Sequence, residues 1–327
     1  MTKTSSSSET PQMTSLTEAQ AAEIDGARAQ AHTTRRPTVS ALEDLMHTAL
    51  PVLDHGFVRV VDYMGTDAAI PQAARVSYGA GTRHVSSDEG LIRYLMRHWH
   101  STPFEMCEIK FHVKLPIFVA RQWIRHRTAN VNEYSARYSI LDREFYIPAP
   151  EHLATQSTTN NQGRGAVLSP ENARKVRALL VEDATRAYDS YEDLVTPESE
   201  GGYGLARELA RMNLPTNIYT QWYWKCDLHN LFHFLRLRAD SHAQYEIRAY
   251  AEVIDDIVAR WVPMAHRAYV DYRRDAVGLS RQGRALVDAA LSHTDPIDPD
   301  AFGVKGRELR EILADFPALE ARIVRPG

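Results

Sequence analysis

Cysteine is scarce in this chain: two residues in 327, Cys107 and Cys226. A disulfide-built scaffold and a cysteine-only metal site are both excluded by that count. No apolar run approaches the length needed to cross a bilayer, and the opening MTKTSSSSETPQMTS lacks the apolar centre of a secretory signal. Membrane partners are therefore not expected, and the cytoplasm is the expected compartment. Neither sign of charge dominates, since 38 lysines and arginines face 42 aspartates and glutamates for a net −4. That balance disfavours a general polyanion binder and leaves room for a locally basic pocket. Several mechanistic signatures are missing as well. GAGTR at 79–83 lacks the later glycine of a dinucleotide fingerprint, there is no GxxxxGK loop, no GxSxG elbow and no HExxH pair. No metal site is expected.

What is present describes an ordinary globular chain, with 44% hydrophobic and 24% charged residues. Residues 1–40 are rich in serine and threonine and read as a mostly disordered tail. The first 35 are expected to be dispensable for catalysis. ALEDLMHTAL predicts a short helix and FVRVVDYM a strand. DAAIPQAARVSYG predicts a helix, and a further helix carries Leu91, Leu95, Met96 and Trp99 on its apolar face, with Ser87 or Asp88 as its cap. The clearest pattern is a period of two, with Cys107, Ile109, Phe111, Val113 and Leu115 on one side and Glu108, Lys110, His112 and Lys114 on the other. That is a half-buried strand. IFVARQWIRHR then predicts one helix ending in cations, and TANVNEYSARYS a polar loop.

Further on, ATQSTTNNQGRGAVLS is expected to be mobile. Ser169–Pro170 starts a helix running to about Leu194, with Val176, Leu180, Ala187 and Tyr191 as buried candidates. YGLARELARM, DLHNLFHFLRLR and HAQYEIRAYAEVIDDIVARW predict helices, NIYTQWYW a strand, and RELREILADF a modest terminal helix. One core with peripheral extensions is the expected organisation.

Chemistry concentrates in two stretches. In RQWIRHRTANVNEYSARYS, Arg121, Arg125, Arg127 and Arg137 crowd beside His126, Asn130, Asn132, Glu133 and Ser135. Guanidinium forks suit a phosphate or the edge of a pyrimidine. A solvated cationic helix end is the plainer reading of an Arg-His-Arg alone; interleaved Trp123 and Ile124 followed by amides and a hydroxyl favour a ligand site. In HNLFHFLRLRADSHAQYEIR, His229 and His233 are four apart, and Arg238 needs an anionic partner if it points inward. For Arg238, functional and salt-bridge readings weigh equally. Ser135 has no oriented base and is read as a binding group rather than a nucleophile. Cys107 reads as a small core residue, while for Cys226 packing and a lowered thiol pKa beside Lys225 stay equally open.

These stretches resemble one family, the flavin-dependent thymidylate synthases. The resemblance rests on RHRTANVNEYSARYS, HSTPFE, RELARMNLPTN and LRADSHAQYEIR, and spans roughly residues 55–265. It implies an α+β fold, a mostly antiparallel sheet surrounded by helices, with a catalytic domain over 41–272 and a C-terminal extension over 273–327. The implied reaction is methylation of dUMP to dTMP, with methylenetetrahydrofolate as carbon donor and FAD reduced by NADPH. It also implies a homotetramer with shared active sites and no nucleic-acid partner. Carried over by position, Gln122, Arg125, Glu133, Ser135, Ala136, Arg137, Arg211 and Arg238 are expected at dUMP. Ser77, His100, Thr102, Glu105, Arg125, His126, Arg127, Asn132, Asp227, His229 and His233 are expected at FAD. Arg238, His126 and Ser135 are the expected catalytic groups. Asp227, His229 and His233 stand where the family often carries Asn, Arg and Asn, and Met106 where a His is common. Two rival readings are a noncatalytic nucleotide- or RNA-binding protein and a flavoprotein that oxidises NADPH without methyl transfer.

Overall fold

The computed structural model describes residues 16–78, 88–158, 163–276, 278, 281, 306–321 and 323. The chain divides into two compact units, Met1–Arg274 and Asp275–Gly327. The described helices are α1 (Glu18–Arg28), α2 (Ser40–Glu43), α3 (Ala69–Arg75), α4 (Asp88–Arg97), α5 (Thr102–Glu105) and α6 (Ile117–Trp123). They continue with α7 (Pro170–Val195), α8 (Arg207–Ala210), α9 (Leu228–Arg238), α10 (Tyr245–Trp261) and α11 (Pro263–Tyr269). In the second unit, α12 (Gly306–Asp315) falls where the terminal helix was expected, and α13 (Pro317–Glu320) follows it.

Five strands form one antiparallel sheet in the order β1 (Ala49–Val52), β2 (Gly56–Met64), β3 (Glu108–Pro116), β7 (Tyr219–Asp227) and β4 (Asn130–Glu133). This is the antiparallel, helix-surrounded fold that the sequence resemblance implied. Central β3 pairs along its whole length with β7, from Glu108 opposite Asp227 to Pro116 opposite Tyr219. Its alternation places Ile109, Phe111, Val113 and Leu115 in the main core, with Trp222 and Trp224 of β7 and the Ile247–Trp261 face of α10.

The other face of β3 is less open than its polar residues imply. Lys114 is buried, as is Arg59 on β2, and each has an ionic answer. Lys114 pairs with Glu144. Arg59 reaches Glu23 of α1 at 3.1 Å and His112 Nδ1 at 2.9 Å, while His112 Nε2 meets Gln221 at 2.9 Å. Burial and the neighbouring Arg59 push the His112 imidazole down to about 4, so it is neutral at physiological pH.

Several expectations are corrected here. The second half of the expected tail contains α1, opened by a reciprocal cap in which Thr17 accepts from Gln20 and Gln20 accepts from Thr17. Ile24 is buried and Arg28 donates to the Met46 carbonyl at 2.9 Å. ALEDLMHTAL is a four-residue helix and then the start of β1, not a single helix. The expected mobile stretch after Leu153 holds a hairpin, β5 (Ala154–Gln156) with β6 (Arg164–Val167). Ser169 caps α7 by accepting from the Asn172 amide, as Ser–Pro implied, but Leu180 is exposed and Ala184 and Tyr188 take the buried face with Tyr191. Those two tyrosines belong to a second, smaller cluster with Ala136, Leu141, Ala210 and Ile218, so the first unit has two hydrophobic clusters rather than one. Ser87 lies outside the described residues.

Deleting residues 1–35 removes Glu23 from the buried Arg59 guanidinium and uncovers the Ile24 site. The expected result is a loss of about 1–3 kcal/mol, read as a lower Tm by calorimetry, with flavin binding retained. An unchanged Tm would return this segment to the status of a tail.

Candidate active site

The Arg-His-Arg motif owes its position to a short helix. Pro116 ends β3, α6 runs only from Ile117 to Trp123, and the chain leaves it in a turn closed by Arg125 N–H to Gln122 O and His126 N–H to Trp123 O. The single helix expected through Arg127 therefore stops early, and Arg121 and Arg125 do not share a helical face. Buried Trp123 anchors the turn against Trp222, Trp224, Phe234 and Tyr250. With that anchor fixed, Arg125 and Arg127 stay exposed and His126 is half-buried. The His126 ring meets Phe234 at 5.7 Å and His233 at 5.8 Å, with Cys226 Sγ 4.0 Å from Nε2. Burial, then His233 and Arg238, lower its pKa and hold it neutral.

Arg238 is the last residue of α9 and is half-buried. Among the described residues no carboxylate pairs with it, and burial alone lowers its pKa. An uncompensated guanidinium in such a place is a standing demand for an anion or a polarised carbonyl.

The stretch expected to be a polar loop is instead the edge strand β4. Its side chains are exposed, but its backbone pairs with β7, Asn132 opposite Tyr223 and Glu133 opposite Trp222. Glu133 accepts a hydrogen bond from the Thr220 hydroxyl at 3.0 Å. Pairing continues through Tyr134 N–H to Gln221 O, and the chain then turns, with Ser135 Oγ accepting from the Arg137 amide at 3.3 Å. Ala136 is buried in the second cluster. Arg137 pairs with Glu208 of α8 at 3.3 Å, one turn before Arg211. Ser135 and Arg137 thus share one polar turn, and Arg211 follows one helical turn after the Glu208 that pairs with Arg137.

Two groups result. Glu133 stands opposite Trp222, and Cys226, which touches His126, lies four residues further along β7, about 13 Å at ~3.3 Å per residue. His126, His233 and Arg238 lie at the Cys226 end; Glu133, Ser135, Ala136, Arg137 and Arg211 lie at the other. Gln122 sits on α6 with its amide oxygen buried and without a hydrogen-bond partner among the described residues.

Near the first group, a cavity of about 180 Å³ opens between the turn after α4 and α9. His100, His229 and His233 line it together. Thr102 and Glu105 begin and end α5, which packs on α9, and Ser77 is exposed in the turn after α3. Asp227 is committed elsewhere: its carboxylate caps α9, accepting from the Asn230 amide at 2.9 Å and side chain at 2.7 Å.

Six lining residues were not predicted as site residues: apolar Met96, Phe104 and Phe232, and Trp99, Arg236 and Arg273. Trp99 was expected on the apolar face of a helix, but α4 ends at Arg97. Trp99 lies beyond it with φ +63° and 66% exposed. The bonds His100 N–H to Leu95 O and Trp99 N–H to Met96 O close a helix end whose left-handed position is ordinarily glycine. Tryptophan there costs about 1 kcal/mol or more.

The lining groups include aromatic rings, imidazoles and guanidiniums, with no carboxylate among them, which suits the flat ring and anionic chain of a flavin. At 180 Å³ the cavity is smaller than a complete ligand pocket of ~300–1,000 Å³. One chain supplies part of such a site.

Cationic corners, a neutral histidine and an uncompensated arginine, with both thiols buried, define a nucleotide site that works by binding and electrostatics. A family model described as thymidylate synthase complementing protein matches residues 59–264. Flavin-dependent thymidylate synthases of Ruegeria pomeroyi and Gluconobacter oxydans are 65% and 59% identical, over 90% and 91% of this chain and 97% of each relative. A crystal structure of the UMP/dUMP methylase PolB from Streptomyces cacaoi, bound with 5-Br UMP, superposes with a TM-score of 0.60 at 36% identity, covering 67% of this chain and 96% of that one. The chain belongs to the flavin-dependent thymidylate synthase family.

Proposed function

We propose that the protein methylates dUMP to dTMP, with FAD as its flavin, methylenetetrahydrofolate as carbon donor and NADPH as reductant. The observation that carries this reading is Arg238, a half-buried guanidinium with no carboxylate partner, beside neutral His126. The methylene carbon arrives two electrons more oxidised than a methyl group, so dUMP, methylenetetrahydrofolate, NADPH and a proton balance dTMP, tetrahydrofolate and NADP⁺. The bound flavin supplies the hydride for that reduction.

The chain's own residues do the rest. Burial raises both thiols, Cys107 to about 12 and Cys226 likewise upward, so neither is a nucleophile toward the pyrimidine. Polarisation by Arg238 takes the place of covalent activation, holding charge that develops on the uracil carbonyl. Ser135, the Arg137 amide and guanidinium, and Arg211 hold the phosphate, with Gln122, Arg125, Glu133 and Ala136 completing the nucleotide seat. His126 and His100 flank the flavin with Arg127 and Asn132, and His229 and His233 donate from α9. Ser77, Thr102 and Glu105 border it, and Asp227 acts through the cap of α9.

A flavin cavity of about 180 Å³, smaller than a complete ligand pocket, supports a homotetramer in which residues of other subunits complete each site. The net charge of −4 supports a small-molecule nucleotide rather than a nucleic-acid partner.

The test is the visible spectrum of the purified protein after FAD addition and desalting. A retained flavin band should bleach anaerobically with NADPH, faster when dUMP is present, and dTMP should form once methylenetetrahydrofolate is added. Folded, assembled protein that retains no flavin would overturn the reading. Bleaching without dTMP would leave only an NADPH-oxidising flavoprotein.

A further inference from the structure

We infer that Arg273 and Arg236, with the indole of Trp99, seat the adenosine diphosphate end of a dinucleotide, Arg273 carrying the flavin site beyond the family-matched residues 59–264; this rests on the flavin reading above. The seat is built from three separate pieces of chain. Trp99 comes from the turn after α4, Arg236 from α9, and Arg273 from the single π-helical turn Val270–Arg274. Arg273 lies over the Trp99 ring, its guanidinium carbon 3.2 Å from the centroid, and gives one N–H to the Met96 carbonyl. That leaves the fork fixed in direction at the cavity wall.

Two features are unexplained by packing alone. The cavity brings two guanidiniums together with no carboxylate in its lining. Burial and then Arg236 push the Arg273 pKa down to about 10, as like charges do when nothing stands between them. A diphosphate, accepted by two forks, removes that repulsion. Trp99 meanwhile occupies a left-handed position where glycine would cap α4 without strain. A large aromatic group held there at a cost to the helix end is accounted for when it presents a face to a flat base, already polarised by the cation on its other face.

Both FAD and NADPH carry an adenosine diphosphate, whereas FMN does not. FAD and FMN are therefore titrated into flavin-stripped wild type, Arg273→Gln, Arg236→Gln and Trp99→Gly, at two salt concentrations. Arg273→Gln is expected to raise the FAD Kd at least tenfold, keep the FMN Kd within twofold, and flatten the salt dependence of FAD binding. Arg236→Gln, at an exposed position, gives the same pattern even where an Arg273 variant folds poorly. Trp99→Gly is expected to weaken FAD binding while the Tm stays level or rises, the opposite of a structural tryptophan. Unchanged FAD affinity with a tenfold higher KM for NADPH and an unchanged kcat would assign the seat to the reductant. Unchanged FAD and NADPH parameters, or equal losses of FAD and FMN, would overturn the inference and leave the flavin reading intact. Wild type that binds neither flavin would overturn both.

Discussion

Arg238→Ala lowers dUMP turnover by about 10²–10³-fold, the cost of removing one preorganised donor from a developing negative charge. The prediction follows from an asymmetry in its surroundings. Arg238 has no ion pair to lose among the described residues, so the fold should not register its removal, and the Tm should stay within measurement error. The substrate alone registers it. Steady-state rates at limiting and saturating dUMP separate the two roles the guanidinium plays. A drop in kcat reports charge stabilisation; a rise in KM alone reports simple binding. Arg238→Lys restores only part of the loss, because an ammonium cannot offer two parallel donors to a pyrimidine edge. Unchanged turnover under both conditions would remove Arg238 from the reaction.

Arg164→Ala acts on stability instead. Glu246, at the start of α10, is 3% exposed and accepts both oxygens' worth of bonds from Arg164, at 2.7 and 2.6 Å. Gln244 adds a donor at 2.8 Å and Tyr146 another at 3.1 Å. Removing the cation strands a buried carboxylate, which costs about 3 kcal/mol at neutral pH, the low end for such losses because Arg164 is partly exposed. For a chain of this size that is a fall in Tm of about 4 °C.

The pH dependence carries a sign. Burial pushes the Glu246 carboxyl up, and the bonds from Arg164 and Gln244 outweigh it, so the net shift is down. In the wild type this contribution is present above the ordinary carboxylate range and is lost as pH falls through the depressed value. In the variant the burial effect is uncovered, the folded pKa rises, and protonation relieves the stranded charge. The gap between wild type and variant is therefore widest near pH 7 and narrows below about pH 5. Thermal melts across that range check it; a gap independent of pH would mean that Arg164 matters only as packing. The same network clamps the β5–β6 hairpin to the turn that follows Arg238, so the variant also tests how firmly that turn must be held.

Much of the architecture was legible because its causes are local. Ser169–Pro170 fixes the start of α7 through a hydroxyl cap and a ring placed where no amide bond is lost. The alternation from Cys107 to Leu115 specifies a strand and its buried face, since a one-residue shift would turn every side chain over. The cap of α1, a threonine followed three residues later by glutamine, was there to be read, and the serine-rich stretch before it obscured it. The polar face of β3 was misleading for a different reason. Whether Lys114 meets water depends on Glu144, thirty residues away along the chain, and no periodicity contains that partner.

The amino-acid sequence by itself determined the family, the residue types at the site, and the strand and helix start that lead into the Arg-His-Arg motif. These follow from spacing, capping and composition over a few residues at a time. Only the tertiary structure decided that TANVNEYSARYS is an edge strand, because its hydrogen bonds are supplied by β7 nearly a hundred residues later. It also decided that Arg238 stands beside His126, and that Trp99, Arg236 and Arg273 share a cavity. Those facts depend on which distant segments pack together, and a pattern confined to neighbours in the chain carries no information about that choice.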